Sequence, residues 1–79
     1  MKLAEAIAAR IEELMNEREI TQYRLSMLSG VSQSTISAIR NKVHDSPNIK
    51  PIYEITQGLE IGLDEFFNSP LFTRENIED

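Results

Sequence analysis

The sequence predicts an all-α fold: one compact domain of five short helices. Apolar residues recur at steps of three and four along most of the chain, which is the period of a helix face. Hydroxyl and amide residues stand where helices would start, and Gly or Pro where they would stop. No stretch alternates apolar and polar residues as a half-buried strand does, and no repeat or linker divides the chain. The 79 residues leave room for one domain, and the 41% hydrophobic content is adequate for its core.

The first helix is predicted from Leu3, Ile7, Ile11, Leu14 and Met15, one apolar face of about four turns. Intervening Ala residues favour helix. Its Glu residues and Arg10 fall mostly on the other face and read as solvated surface. Thr21 is placed to cap a second helix, with Leu25 and Leu28 facing inward and Gly30 ending it. Ser32 caps a third, Gln33 to about Asn41, held from below by Val31, Ile36 and Ile39. "NKVHDSPNIKP" reads as a loop of turn formers. Asn48 is the expected cap of a fourth helix bearing Ile49, Ile52, Ile55 or Thr56, and Leu59. Pro51 sits in its first turn, where the missing N–H costs nothing. "GLDEFF" gives a short fifth helix with Leu63 and Phe66 inward, and Ser69-Pro70 breaks it. The tail from residue 70 is polar after Phe72 and is expected to be partly disordered.

Composition narrows the chemistry. There is no Cys and one His, so thiol catalysis, thiolate zinc sites and His clusters are excluded, and no metal or cofactor is expected. No nucleophile–base pair or phosphate-cradling Gly loop is present, so no enzyme is expected. The longest uncharged run, Leu25 to Ile39, is 15 residues and rich in Ser, too short and polar to span a bilayer. Early charges at Glu5, Arg10, Glu12 and Glu13 argue against a signal segment. A cytoplasmic setting is the expectation, and the absence of Cys fits it.

The net charge of −5 is unevenly spread. Residues 20–53 carry Arg24, Arg40, Lys42 and Lys50 against Asp45 alone, while residues 54–79 carry Arg74 against seven acidic groups. A polyanion would be met by the basic middle third. Ordinary surface scatter gives the same numbers, so charge alone does not choose.

The middle third also carries the informative arrangement. Two short helices joined through Gly30-Val31-Ser32 cannot lie antiparallel; they cross steeply and the second projects outward, as in a helix-turn-helix. Ser26 is small where the helices approach, and Gly30 tolerates the turn. The pattern Gln-x-x-Leu-small-x-x-x-Gly-Val-x-x-x-x-Ile-x-x-Ile, from Gln22 to Ile39, resembles the phage-repressor/Cro helix-turn-helix family, also called the Xre family. "SPNIKPIYEITQGLEIGLDEFF" is similar to that family's fourth and fifth helices, so the resemblance covers roughly residues 4–68.

The resemblance implies a five-helix lambda-repressor-like DNA-binding domain over residues 1–69, with the helix-turn-helix unit at 21–41 and a short polar tail at 70–79. It implies a small prokaryotic or phage transcriptional regulator that binds double-stranded DNA. The third helix would enter the major groove. Gln33, Ser34 and Ser37 would meet base edges; a Gln carboxamide matches the donor and acceptor of adenine. Gln22, Thr35, Arg40, Asn41, Lys42, Asn48 and Lys50 would contact the backbone, Thr35 alternatively a thymine methyl. The other reading of each residue is solvated surface. Against that reading, Ser and Thr are poorer helix formers than Glu or Lys, and an uncharged face does not repel a groove. Tyr23 could pack or touch the backbone. The pattern departs from the family where Ser26 replaces the usual Ala, Lys42 a common Gly and Glu60 a common C-capping Gly.

Few base contacts per domain imply a homodimer on a palindrome acting as a repressor, with Phe67, Leu71 and Phe72 as candidate interface residues and core capping as their alternative. The rival reading is an antitoxin-like module that binds a partner protein and represses its own operon.

Overall fold

The computed structural model describes residues 1–79. It is all-helical: α1 (Leu3–Arg18), α2 (Gln22–Ser29), α3 (Gln33–Arg40), α4 (Ile49–Gly58), α5 (Leu63–Phe67) and a 3-10 turn at Pro70–Phe72. None of the helices is long and apolar enough to cross a membrane. The predicted elements all form, and the predicted caps largely explain their limits. Thr21 Oγ1 accepts from the Arg24 amide at 3.1 Å, and Ser32 Oγ accepts from the Thr35 amide at 3.2 Å. Gly30 ends α2 at φ +76°, a left-handed conformation that is cheap without a Cβ. Asn48 occupies the start of α4, but its side chain makes no capping hydrogen bond, contrary to the sequence reading.

One core holds the helices together. Ile7, Ile11, Leu14 and Met15 of α1 meet Leu25, Val31, Ile36, Ile39, Ile52, Ile55, Leu59 and Phe66. Ala4, Ala6 and Ala8 are buried too, so the inward face of α1 is wider than its large residues alone indicate. Small side chains there let neighbouring segments approach closely. Thr56 is fully buried and satisfies its hydroxyl locally, donating to the Tyr53 carbonyl at 2.7 Å. Ser26 does the same with the Tyr23 carbonyl at 2.7 Å, so its departure from Ala leaves no unpaired hydroxyl.

Three expectations are corrected. Leu28 faces outward, 41% exposed. The position that turns inward with Leu25 is Ser29, four residues on, whose hydroxyl donates to the Leu25 carbonyl at 2.7 Å and accepts from the Val31 amide at 3.1 Å. At Leu28 the neighbour is backbone: a Cβ on Gly58 of α4 would lie 2.8 Å from the Leu28 carbonyl. Arg10 is also not solvated surface. Its Nε donates to the Phe66 carbonyl at 2.7 Å and one Nη to the Glu65 carbonyl at 2.9 Å, closing the open carbonyl end of α5. Finally, the tail is ordered. Glu78 N donates to the Met1 carbonyl at 2.9 Å, Leu3 N to Asp79 Oδ1 at 3.0 Å, and Asn76 Nδ2 to the Leu71 carbonyl at 2.6 Å. Residues 70–79 thus return to the start of α1.

Both departures at turns cost the same conformation. Lys42 (φ +57°) and Glu60 (φ +59°) are left-handed without being Gly, as is Glu19 (φ +52°) at the end of α1.

Candidate nucleic-acid interface

The α2–α3 unit presents α3 on its outer side. Ile36 and Ile39 are buried beneath it, while Gln33 and Ser34 are exposed at its N-terminal end and Ser37 is half-buried one turn on. The spacing produces part of this: Ile36 and Ile39, three apart, share the inward face, and Ser34 and Ser37, also three apart, fall away from it, while Gln33, three before Ile36, is exposed as the first residue of the helix.

The polar groups differ in how far the protein already uses them. The Gln33 carboxamide makes no hydrogen bond within the protein, and only its backbone carbonyl is engaged, by Gln22 Nε2 at 3.4 Å. Ser34 Oγ lies 3.1 Å from Ser32 Oγ, and Thr35 Oγ1 accepts from Ser32 Oγ at 3.0 Å, so both belong to the cap of α3. Ser37 Oγ accepts from Asn41 Nδ2 at 3.1 Å. Gln33 is therefore the one expected base reader whose hydrogen-bonding capacity is wholly unspent.

Arg40 is held inside the molecule. Its Nε donates to Glu12 Oε1 at 2.6 Å, Nη2 lies 2.5 Å from the same oxygen, and Nη1 donates to Gln22 Oε1 at 3.0 Å. Glu12 is thus an ion-pair partner rather than solvated surface. Arg10 and Arg18 also have carboxylate partners. Arg24, Lys42 and Lys50 have none, and they are the unneutralised cations of the basic middle third.

A cleft of about 620 Å³ runs along α3. Ser34, Thr35 and Ala38 form one side; His44, Asn48 and Ile49 belong to the other, formed by the loop and the start of α4. The structure therefore brings Ser34, Thr35 and Asn48 to one groove, and Gln22, Gln33 and Arg40 to one hydrogen-bonded chain. Asn41, Lys42 and Lys50 are exposed, with Lys42 and Lys50 making no side-chain hydrogen bond. Sequence reasoning gave no site role to Glu12 or His44, and it counted Arg24 among the cations of the basic third without assigning it a contact. Arg24, two residues from Gln22 in the basic third, was findable. Glu12 was not, because a solvated Glu and a paired one look alike in sequence.

The far end of the molecule carries the candidate dimer residues. Phe67 and Phe72 are half-buried and pack with Phe66, at ring-centroid distances of 4.9 Å (Phe66–Phe67), 4.9 Å (Phe67–Phe72) and 6.0 Å (Phe66–Phe72). Leu71 is half-buried beside them in sequence. Much of this apolar surface is thus spent on capping the core.

Five helices, a tight α2–α3 turn and an outward polar α3 define a helix-turn-helix domain. A family model described as helix-turn-helix matches residues 11–66, from within α1 to within α5. The chain belongs to this family, the Xre/Cro-like helix-turn-helix proteins, and is a DNA-binding helix-turn-helix regulator. The family is one of DNA-binding regulator domains and not of enzymes. No curated protein and no solved structure matched the chain.

Proposed function

We propose that the protein represses transcription as a homodimer on a palindromic operator, each copy placing α3 in the major groove. The observation that carries this reading is Gln33. It is exposed at the leading end of α3, with a carboxamide that no group of the protein uses. Gln33 reads an adenine by donating to N7 or accepting from N6, and Ser34 and Ser37 add shorter contacts. Thr35, Asn41 and Asn48 meet phosphate or sugar. Arg24, Lys42 and Lys50 supply the phosphate attraction, and Gln22 adds a directed contact at the start of α2.

Three small readers give one domain little discrimination, so two copies act together. They meet at the C-terminal end, where Phe67, Leu71 and Phe72 keep part of their surface in water. Repression is steric, by occupancy of a promoter in the cytoplasm of the host cell. Selection of bound duplexes from a random pool tests this reading. The expected result is an inverted repeat with half-site centres about 10 bp apart, or a multiple of that spacing. A pool that stays random, or yields a single unrepeated site, would contradict it.

A further inference from the structure

We propose that Glu12 and Arg40 form a positioning relay that fixes which edge of the Gln22 carboxamide faces the DNA backbone. The proposal rests on the reading of the α2–α3 unit as the DNA interface.

The starting point is a difference in chemistry between the two partners. A carboxamide has one accepting edge and one donating edge, whereas a guanidinium only donates. Arg40 Nη1 lies 3.0 Å from Gln22 Oε1, so that oxygen is claimed. Nε2 then turns to the opposite side, where it reaches the Gln33 carbonyl at 3.4 Å. Nε2 carries two hydrogens, and that contact uses one. The second is left for an acceptor from outside, and phosphate oxygens only accept. The reversed carboxamide would offer an acceptor to the phosphate and set its oxygen against the Gln33 carbonyl. Both contacts would be repulsive.

Arg40 can impose this orientation only while it is itself held. Glu12, on α1 and outside the helix-turn-helix unit, accepts from Nε at 2.6 Å and pairs with Nη2 through the same oxygen. Nε, Nη1 and Nη2 are thereby all engaged inside the protein. Arg40 is then a positioning residue rather than a phosphate clamp, and Glu12 acts on DNA through two intermediaries without touching it. An acidic residue close to a DNA-facing element would ordinarily weaken binding. Here its charge is matched by Arg40, and its effect is to orient.

The test is a double-mutant cycle on the selected operator, using Glu12→Gln, Gln22→Ala and their combination, with thermal denaturation of each variant. Glu12→Gln removes the charge that holds Arg40 and nearly preserves shape. The relay predicts that it weakens operator binding about three- to tenfold, and that Gln22→Ala weakens it by a similar factor. It predicts no further loss from Glu12→Gln once Gln22 is gone. A gain in affinity from Glu12→Gln would show that Arg40 is released to grip phosphate, and would overturn the proposal. Losses that multiply in the double variant would overturn it too, since Glu12 would then act independently of Gln22. If Gln22→Ala alone leaves binding unchanged, the failure lies in the assignment of Gln22 to the DNA interface, and the relay falls with it.

Discussion

Arg10 Nε donates to the Phe66 carbonyl at 2.7 Å, joining α1 to the end of α5 across 56 residues of sequence. The Arg10 side chain is 12% exposed and Phe66 is buried, so the Phe66 carbonyl is partly shielded from replacement hydration. Arg10→Ala should cost about 1–3 kcal/mol, the range for losing charge-assisted hydrogen bonds and leaving partly buried acceptors unpaired. Urea denaturation measures it. A change within experimental error would mean that water caps α5 equally well.

Gly58 of α4 sits against the backbone of α2. A Cβ there would lie 2.8 Å from the carbonyl carbon and oxygen of Leu28 and from the Ser29 Cα. Ala is the better helix former, so an unhindered Gly-to-Ala change in a helix stabilises. Here the backbone collision wins. Gly58→Ala should lose about 1–3 kcal/mol as α2 and α4 are pushed apart. Because α2 carries Gln22, operator affinity should fall as well. Thermal denaturation showing a gain in stability would contradict the contact.

These two contacts also mark what the sequence could and could not convey. Thr21, Ser32 and Gly30 announced their helix ends because capping is local: each acts on an amide or carbonyl within a few residues. Ile36 and Ile39 announced the buried side of α3 for the same reason. Leu28 misled because Leu25 and Leu28 three apart look as good as Leu25 and Ser29 four apart, and only the approach of Gly58 decides between them. Arg10, Glu12 and the tail misled because their partners lie 28 to 77 residues away. Polar residues with distant partners carry no periodic signal. In the candidate site, the outward side of Ser34 was readable from the helix period and that of Gln33 from its place at the helix start, whereas the capture of Arg40 by Glu12 was not.

Glu60 holds a left-handed backbone at φ +59° just beyond α4. The penalty for a side chain there is roughly 1–2 kcal/mol, partly offset by the flexibility Gly adds to the unfolded chain. Its carboxylate also lies at the negative end of the helix dipole. Glu60→Gly should therefore stabilise by about 1 kcal/mol, read as a higher thermal midpoint with DNA binding intact. A lower midpoint would mean that the Glu60 side chain has stabilising interactions that outweigh the strain.

On the proposed function, Gln33 reads a base. The most direct measurement is the affinity of Gln33→Ala for the selected operator, for operators changed one base pair at a time, and for unrelated duplex DNA. The expected result is a loss of about 1–3 kcal/mol on the operator, relaxed preference at one position per half-site, and little change on unrelated DNA. Unaltered operator affinity together with an unaltered preference at every position would contradict it.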